Sequence, residues 1–333
     1  MMTMRTEGRQ PGVALVTGIS GQDGSYLAEA LAQRGWAVHG LIRPGHEWRH
    51  EGVTMHFADL TDTDRLKTIV RETAPDVIYN LGGISSVGYS WSEPYNTAVV
   101  TGAAPIALMD LALRAQRATG REIRFFQASS AEIFGPAEAP QSETTPVRPI
   151  TPYGVAKAMA HTAVGMFRSQ GLAASSAILF NHESVRRPAS FVTRKITLGA
   201  AAIRLGLRET LTLGNLSALR DFGWAPEYID AMIAIAEAPE PDDFVVATGV
   251  AHSIREFAEA AFAAAGLEHV DDYLRTDPRF ARAAEAPTMR GDASKIARVL
   301  GWKASTTFEE VAARMVEHDI EWLQTHGAED LNL

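Results

Sequence analysis

The chain has 333 residues, 46% of them hydrophobic and 21% charged, which allows one large or two modest globular domains with a substantial core. A net charge of −9 argues against nucleic-acid capture on a broadly basic surface, and zero cysteines exclude disulfides, thiolate-bound zinc and thiol nucleophiles while fitting a reducing cytoplasm. The sequence shows no obvious apolar run of about 18 residues for a bilayer and no close histidine spacing for a metal, so neither a membrane span nor a metal site is expected.

Residues 1–12, MMTMRTEGRQPG, are polar, lack the apolar centre of a secretory signal, and are expected to form a frayed leader. The run VALVT (13–17) predicts a strand, followed by a helix over 23–34. Between them Gly18, Gly21 and Gly24 are spaced G-x-x-G-x-x-G. At the mouth of a helix such glycines allow a tight turn and a close approach to a pyrophosphate, which predicts dinucleotide binding; the plain alternative is an idle turn. The second strand, AVHGLI (37–42), ends at Arg43, nineteen residues after Gly24, about where an NAD-binding unit offers an acid. A guanidinium there suits a ribose 2′-phosphate and predicts NADP. TMHFA (54–58) reads as the third strand. Beyond it Asp59 and Leu60 are placed to border adenine, with Asp59 equally suited to cap the helix at 62–73.

DVIYNL (76–81), a helix over 93–118, IRFFQASS (123–130), a helix over 151–171 and SSAILF (175–180) follow. This β-α alternation, with near-continuously apolar strands, predicts a Rossmann-like α/β fold: a doubly wound parallel sheet with helices on both faces. Ser129, Ser130 and Glu132 gather at the end of the fifth strand. Tyr153 and Lys157, four residues apart, share a helix face, so the ammonium is expected to lower the phenol's pKa; taken alone they also fit an amphipathic surface helix.

After residue 181 the alternation loosens. NHESVRRPASFVTRKI begins as a loop and enters a helix, with Arg186, Arg187, Arg194 and Lys195 forming either an anion site or a solvated face. A strand TLTL, a turn GNLSALRDFG, a helix near 225–238, a strand FVVAT, a helix from Ser253 as N-cap, and closing helices near 292–300 and 307–325 complete the chain. The expected organisation is a cofactor-binding domain at 13–180, to which elements near 220–260 return, and a smaller, mainly substrate-binding lobe at 181–333.

Together, the glycine spacing, YNL after the fourth strand, Ser130 and Tyr153-x-x-x-Lys157 resemble the extended short-chain dehydrogenase/reductases. TGISGQDGSYLAEALAQRGWAVHGLIR, QASSAEIFG, SETTPVRPITPYGVAKAMA, ILFNHESVRRPASFVTRKI and LGNLSALRDFGWAPEYIDAM narrow the resemblance to GDP-mannose 4,6-dehydratases over roughly residues 13 to 260. That resemblance implies NADP contacts at Gly18, Ser20, Gly21, Gln22, Asp23 and Gly24, and further along at Arg43, Asp59, Leu60, Leu81, Tyr153 and Lys157. It implies that Tyr153 takes the proton of the sugar 4-hydroxyl, that Lys157 stabilises its phenolate, that Ser130 binds the oxygen at C4, and that Glu132 removes the C5 proton while water leaves C6. Ser85, Asn181 and Glu183 match positions near the hexose, Val192 and Lys195 the nucleoside pocket, and Arg220 a diphosphate contact. For Glu132 the alternative is a turn cap, and for NHES a polar loop at the sheet edge.

The chain also departs from that pattern. SSAE replaces the usual STSE, Ser86 stands where a histidine is common, and Ala286 stands at an arginine position, with Arg290 nearby as a candidate replacement at a different offset. The segment RPGHEWRHEG is shorter than the loop that reaches a neighbour's cofactor in tetramers, so a homodimer is expected rather than a tetramer. The expected activity is NADP-dependent dehydration of a GDP-hexose, GDP-D-mannose first. The alternatives are a dehydratase, reductase or epimerase of another nucleotide sugar such as a GDP-heptose, and, more remotely, a non-catalytic NADP sensor.

Overall fold

A computed structural model describes residues 11–280 and 284–327, so residues 1–10 of the expected leader lie outside it. Five strands, β1 (Val13–Thr17), β2 (Ala37–Ile42), β3 (Val53–Phe57), β4 (Val77–Asn80) and β5 (Arg124–Ala128), alternate with α1 (Gln22–Gln33), α2 (Thr63–Thr73), α3 (Val87–Ser92), α4 (Pro94–Thr97) and α5 (Ala104–Thr119). Next come α6 (Pro152–Ser169), β6 (Ala173–Leu179), β7 (Asn181–Glu183), α7 (Val192–Arg204), β8 (Leu211–Leu213), β9 (Leu219–Trp224), α8 (Ala225–Glu237) and β10 (Asp243–Val246). The strands of the main sheet run β10-β6-β5-β4-β1-β2-β3, all parallel.

β1 shows why its strands read as unbroken apolar runs. Ala14 and Val16 face a core shared with α1 and α8, whereas Leu15 faces a core shared with α2 and α5, and all three are wholly buried. A strand covered on both sides cannot afford the polar alternation of a half-exposed one. Strand order reverses between β1 and β4, which leaves a crevice beyond their carboxyl ends.

The one helix expected at 93–118 is in fact three pieces, with a π-helical turn at Ala98–Ala103 between α4 and α5. Gly102 in that turn lies so close to α6 that a Cβ would fall 3.0 Å from Met159 Sδ and 3.2 Å from Ala156 O. Pro94–Thr119 is long and apolar enough to cross a membrane, with mean hydropathy 1.5, contrary to the expectation that no such run exists. Leu108, Met109, Ala112 and Leu113 of that stretch are nevertheless buried against the sheet, so its apolarity is that of a core helix.

The remaining elements are β11 (Ala251–Ser253), α9 (Ile254–Ala264), β12 (Leu274–Thr276), β13 (Thr288–Met289), α10 (Ser294–Leu300) and α11 (Phe308–His326). A small sheet, β11-β9-β13 with β7 alongside β9, and the pair β8-β12 stand on a separate core built from α7, α9 and α11. Ser253 caps α9 as expected, and Glu256 completes a capping box. Tyr228, Met232, Phe244, Ile296 and Trp302 are buried in the same core as α1, so α8, β10 and the region of α10 pack on the main sheet.

Two segments differ from expectation. NHES is not a loop, because Asn181–Glu183 forms β7, and the expected turn GNLSALRDFG ends inside β9. Polar residues inside strands concealed both. Asp221 in β9 is wholly buried and accepts from Thr248 N at 2.8 Å, Thr248 Oγ1 at 2.7 Å and Gly249 N at 2.9 Å. A carboxylate satisfied this fully is tolerated in a strand interior.

Candidate active site

A cleft of about 610 Å³ opens at the carboxyl ends of β1 to β4. Gly18, Ser20, Gly21, Gln22, Asp23 and Gly24 line it from the first turn, and Arg43, Asp59, Leu60, Leu81 and Ser85 from the others. Gly18 has φ +68°, and a Cβ there would lie 2.8 Å from Gly82 Cα, so the turn admits no side chain. Gly21 is the N-cap of α1 and supplies no capping side chain, which leaves the first-turn amides open to an anion. Asp59 is not a helix cap. Asp62 accepts from Arg65 N at 3.0 Å and caps α2, while Asp59 holds Thr61 N at 2.9 Å and Thr61 Oγ1 at 2.6 Å. Those bonds, and then Arg43, keep the Asp59 carboxyl below its usual range. The Arg43 guanidinium sits 2.8 Å from His46 Nε2, and both line the cleft where β2 ends. This donor set fits a dinucleotide: open amides for the pyrophosphate and the Arg43 guanidinium for a ribose phosphate.

Tyr153 and Lys157 meet Ser130 and Glu132 where β5 ends. Thr151 caps α6 by accepting from Gly154 N at 2.9 Å and also donates to Glu132 Oε2 at 3.4 Å. Gly154 lets α6 approach this turn, since a Cβ would lie 2.6 Å from Glu132 O. Ser130 accepts from Glu132 N at 3.3 Å and hydrogen-bonds the Tyr153 phenol. Lys157 Nζ donates to Ala128 O at 2.8 Å and lies 5.8 Å from the centre of the Tyr153 ring. The expected lowering of the phenol's pKa is not met. Burial pushes Tyr153 up to about 12, Ser130 offsets part of this, and the Glu132 charge adds to it. Burial also brings Lys157 down to about 8, against the pull of Asp23, so the amine still holds its proton at neutral pH.

The residues expected at the sugar and nucleoside are less open. Glu183 is wholly buried, accepts from Thr193 Oγ1 at 2.6 Å and pairs with Arg187 at 3.1 Å. Its place is behind Arg187, which lines the cleft and stacks over Phe191 at 4.0 Å. Asn181 and Val192 are partly exposed, and Lys195 Nζ sits 4.5 Å above the Phe280 ring. Arg187 belongs to the cluster read as either an anion site or a solvated face, and it lines the cleft, whereas Thr151 and His182 were not singled out for the site from sequence. Thr151 was the more legible of the two, since a threonine before proline at a helix start is an N-cap signal.

The family model for GDP-mannose 4,6 dehydratase matches residues 15–315. GDP-mannose 4,6 dehydratase 2 of Arabidopsis thaliana is 41% identical over 325 residues, covering 93% of this chain and 87% of the relative. The GDP-mannose 4,6 dehydratase of Homo sapiens is 40% identical over 354 residues, covering 96% and 94%. The chain belongs to the GDP-mannose 4,6-dehydratase family. Among solved structures it is similar to the Thermus thermophilus UDP-glucose 4-epimerase complex with NAD (TM-score 0.80, 24% identity, 92% of this chain and 98% of that one). It is also similar to RMD from Pseudomonas aeruginosa complexed with NADPH (TM-score 0.77, 24% identity, 93% and 99%). Both show the Rossmann-type fold.

Arg220 is held by its own neighbours. Its guanidinium is buried and donates to Leu219 O at 2.8 Å, Ala286 O at 3.0 Å and Glu285 Oε1 at 3.0 Å. Asn215 Nδ2 holds the other oxygen of Glu285 at 2.9 Å. Glu285 thus occupies one edge of the Arg220 guanidinium, which does not line the cleft. Arg290 lines a different cavity of about 420 Å³, with Asp292 and Lys303.

Proposed function

We infer that this dehydratase-family enzyme converts GDP-D-mannose to GDP-4-keto-6-deoxy-D-mannose and water, with NADP bound in the cleft between Gly18 and Arg43. NADP held there would supply a reversible hydride acceptor for the sugar, so that no external reductant would be consumed. Tyr153 takes the proton from the 4-hydroxyl, and Ser130 holds that oxygen in line. Lys157, charged at neutral pH and anchored on Ala128 O, stabilises the phenolate that accepts this proton and becomes a phenol. Once C4 is a ketone the C5 hydrogen is acidic, and Glu132, oriented by Thr151, removes it and passes a proton to the departing C6 hydroxyl. The supporting observation is the Glu132 carboxylate beside Tyr153, because a simple alcohol oxidation has no use for a second proton acceptor there.

Glu183 then acts through Arg187, with Arg187, Ser85 and Asn181 nearest the sugar diphosphate. Val192 and Lys195 flank the nucleoside end, and Arg220 meets the diphosphate once Glu285 has moved aside. Residues 13–180 with α8 and β10 would form the cofactor unit, and the rest of 181–333 mainly the substrate lobe. A cytoplasmic homodimer is the proposed working form. Val155, Met159 and Met166, exposed along one face of α6, offer an apolar patch to a second copy, and the short segment after β2 offers little for a tetramer. Mass spectrometry of GDP-mannose incubated with the protein tests the activity. Loss of one water without added reductant is expected. Net NADPH consumption would make it a reductase, and NADP binding without change in any nucleotide sugar would make it a sensor.

A further inference from the structure

His182 lies beneath the glycine turn, in β7, and ties the two lobes at one point. Its Nδ1 is 2.7 Å from Phe180 O and its Nε2 is 3.0 Å from Asp23 Oδ2. A carbonyl oxygen only accepts, and so does an ionised carboxylate, whereas a neutral imidazole has a single N–H to give. Both contacts are satisfied together only when both ring nitrogens carry protons. The Tyr228 ring stacks on the imidazole, centroids 4.7 Å apart and planes within 17°, and presents its π face to that charge. Gln22 Nε2 fixes the pair by donating to His182 O at 3.1 Å and to Asp23 Oδ1 at 3.0 Å. Arg187 is the opposing cation, itself paired with Glu183, and the Tyr228 phenol is kept neutral by burial.

Asp23 presents a difficulty that this arrangement resolves. It stands in the first turn of α1 and lines the cleft, so its bare carboxylate would repel a diphosphate from the amides that are otherwise set to receive it. We propose that His182 is a positioning residue, held as an imidazolium between Asp23 and the Phe180 carbonyl, that cancels the carboxylate charge at the lip of the nucleotide cleft. Burial disfavours each charge, but the pair prevails: Asp23 is held down at about 2 and His182 is raised. The Asp23 charge also bears on Tyr153 and Lys157, so its compensation carries through to the groups at the end of β5.

The protonation half of this inference stands on the geometry alone, and only the second half rests on the dinucleotide assignment. In ¹⁵N-labelled native protein at pH 7, both His182 ring nitrogens should show the imidazolium signature, with a titration midpoint above 6.5. Calorimetric NADP⁺ affinity should fall by ~10-fold as that midpoint is crossed. In His182→Gln affinity should be weaker at pH 7 and lack that step, whatever change Lys157 contributes in both proteins. In Asp23→Asn the His182 midpoint should drop by at least about one unit, as expected for loss of an adjacent opposite charge. A singly protonated His182 at pH 7 would overturn the proposal, as would a step of undiminished size in His182→Gln. Failure of the protein to bind any dinucleotide at any pH would sink the cofactor assignment, while the NMR titration would still decide the state of His182.

Discussion

Adding one methyl group at Gly24 should separate the fold of the nucleotide turn from its binding function. A Cβ at Gly24 would lie 2.2 Å from Gly18 O, 2.6 Å from Ile19 Cα and 2.8 Å from Gly18 C, all of them backbone atoms. Ile19 is wholly buried, and Gly18 is held in the left-handed region against Gly82, so no flexible side chain can yield. Restoring ordinary contact requires the turn and α1 to part by roughly 1 Å. Overpacking of this kind costs about 1–3 kcal/mol, and rigid backbone on every side places Gly24→Ala at the upper end. For a chain of this size that corresponds to a fall in melting temperature of roughly 5 °C. Gly21→Ala provides the contrast. Its backbone is extended, at φ −75° and ψ 173°, and the nearest atom to its Cβ would be Gly18 O at 3.2 Å. That change should cost less than about 1 kcal/mol, since alanine is only a poorer N-cap than glycine. With a diphosphate seated against the turn, however, Gly21→Ala should weaken NADP⁺ binding by ~10-fold or more. Thermal denaturation and calorimetric titration of the two variants measure both quantities. If Gly24→Ala melted with the wild type and kept its affinity, the steric reasoning would be refuted.

Glu132→Gln should keep NADP affinity but lose water elimination by at least ~10² in a mass-spectrometric assay, and near-normal turnover would remove Glu132 from its role. Arg43→Asp should reverse the cofactor preference toward NAD, measured as the ratio of the two dissociation constants; an unchanged ratio would place recognition of the 2′-phosphate elsewhere. Asp319 in α11 is wholly buried, pairs with Arg194 at 2.7 Å and accepts from Thr197 Oγ1 at 2.7 Å. Burial nonetheless lifts its carboxyl to about 6, against 3.8 in the unfolded chain, so the folded state holds the extra proton between those values. Its contribution should therefore make the protein more stable as pH falls from 7 through 6 toward 4. Urea denaturation at pH 5 and 7.5 should show a change in stability on acidification that is more favourable in the wild type than in Asp319→Asn, the histidines with lowered pKa values contributing equally to both; identical changes would remove Asp319 as a source. Asp319→Ala should cost about 3–5 kcal/mol by stranding the Arg194 charge.

The main sheet was legible because strands such as β1 and β4 bury both faces and so read as continuous apolar runs between helical segments. The nucleotide turn was legible because close backbone packing can be met only by glycine, which leaves a spacing in the sequence. The short strands of the second lobe were not, since three residues such as Asn181–Glu183 establish no period and their polar side chains imitate a turn. Spacing also conveys nothing about partners that fold brings together. Asp23 and His182 are 159 positions apart, and Arg220 is joined to Glu285 from 65 positions away. The shift at Tyr153 was misjudged because its neighbour Lys157 is visible in the sequence, while the depth at which both are buried is not.

β10 is added to the exposed side of β6 by a segment that arrives only after the chain has built β7, β8 and β9 elsewhere. Until Asp243–Val246 returns, residues 173–179 present a bare row of amides and carbonyls, the kind of edge that recruits strands from other molecules. A fragment cut near residue 180 should therefore aggregate rather than bind nucleotide. On the ribosome, the front half of this enzyme remains unfinished until nearly three quarters of the polypeptide has emerged.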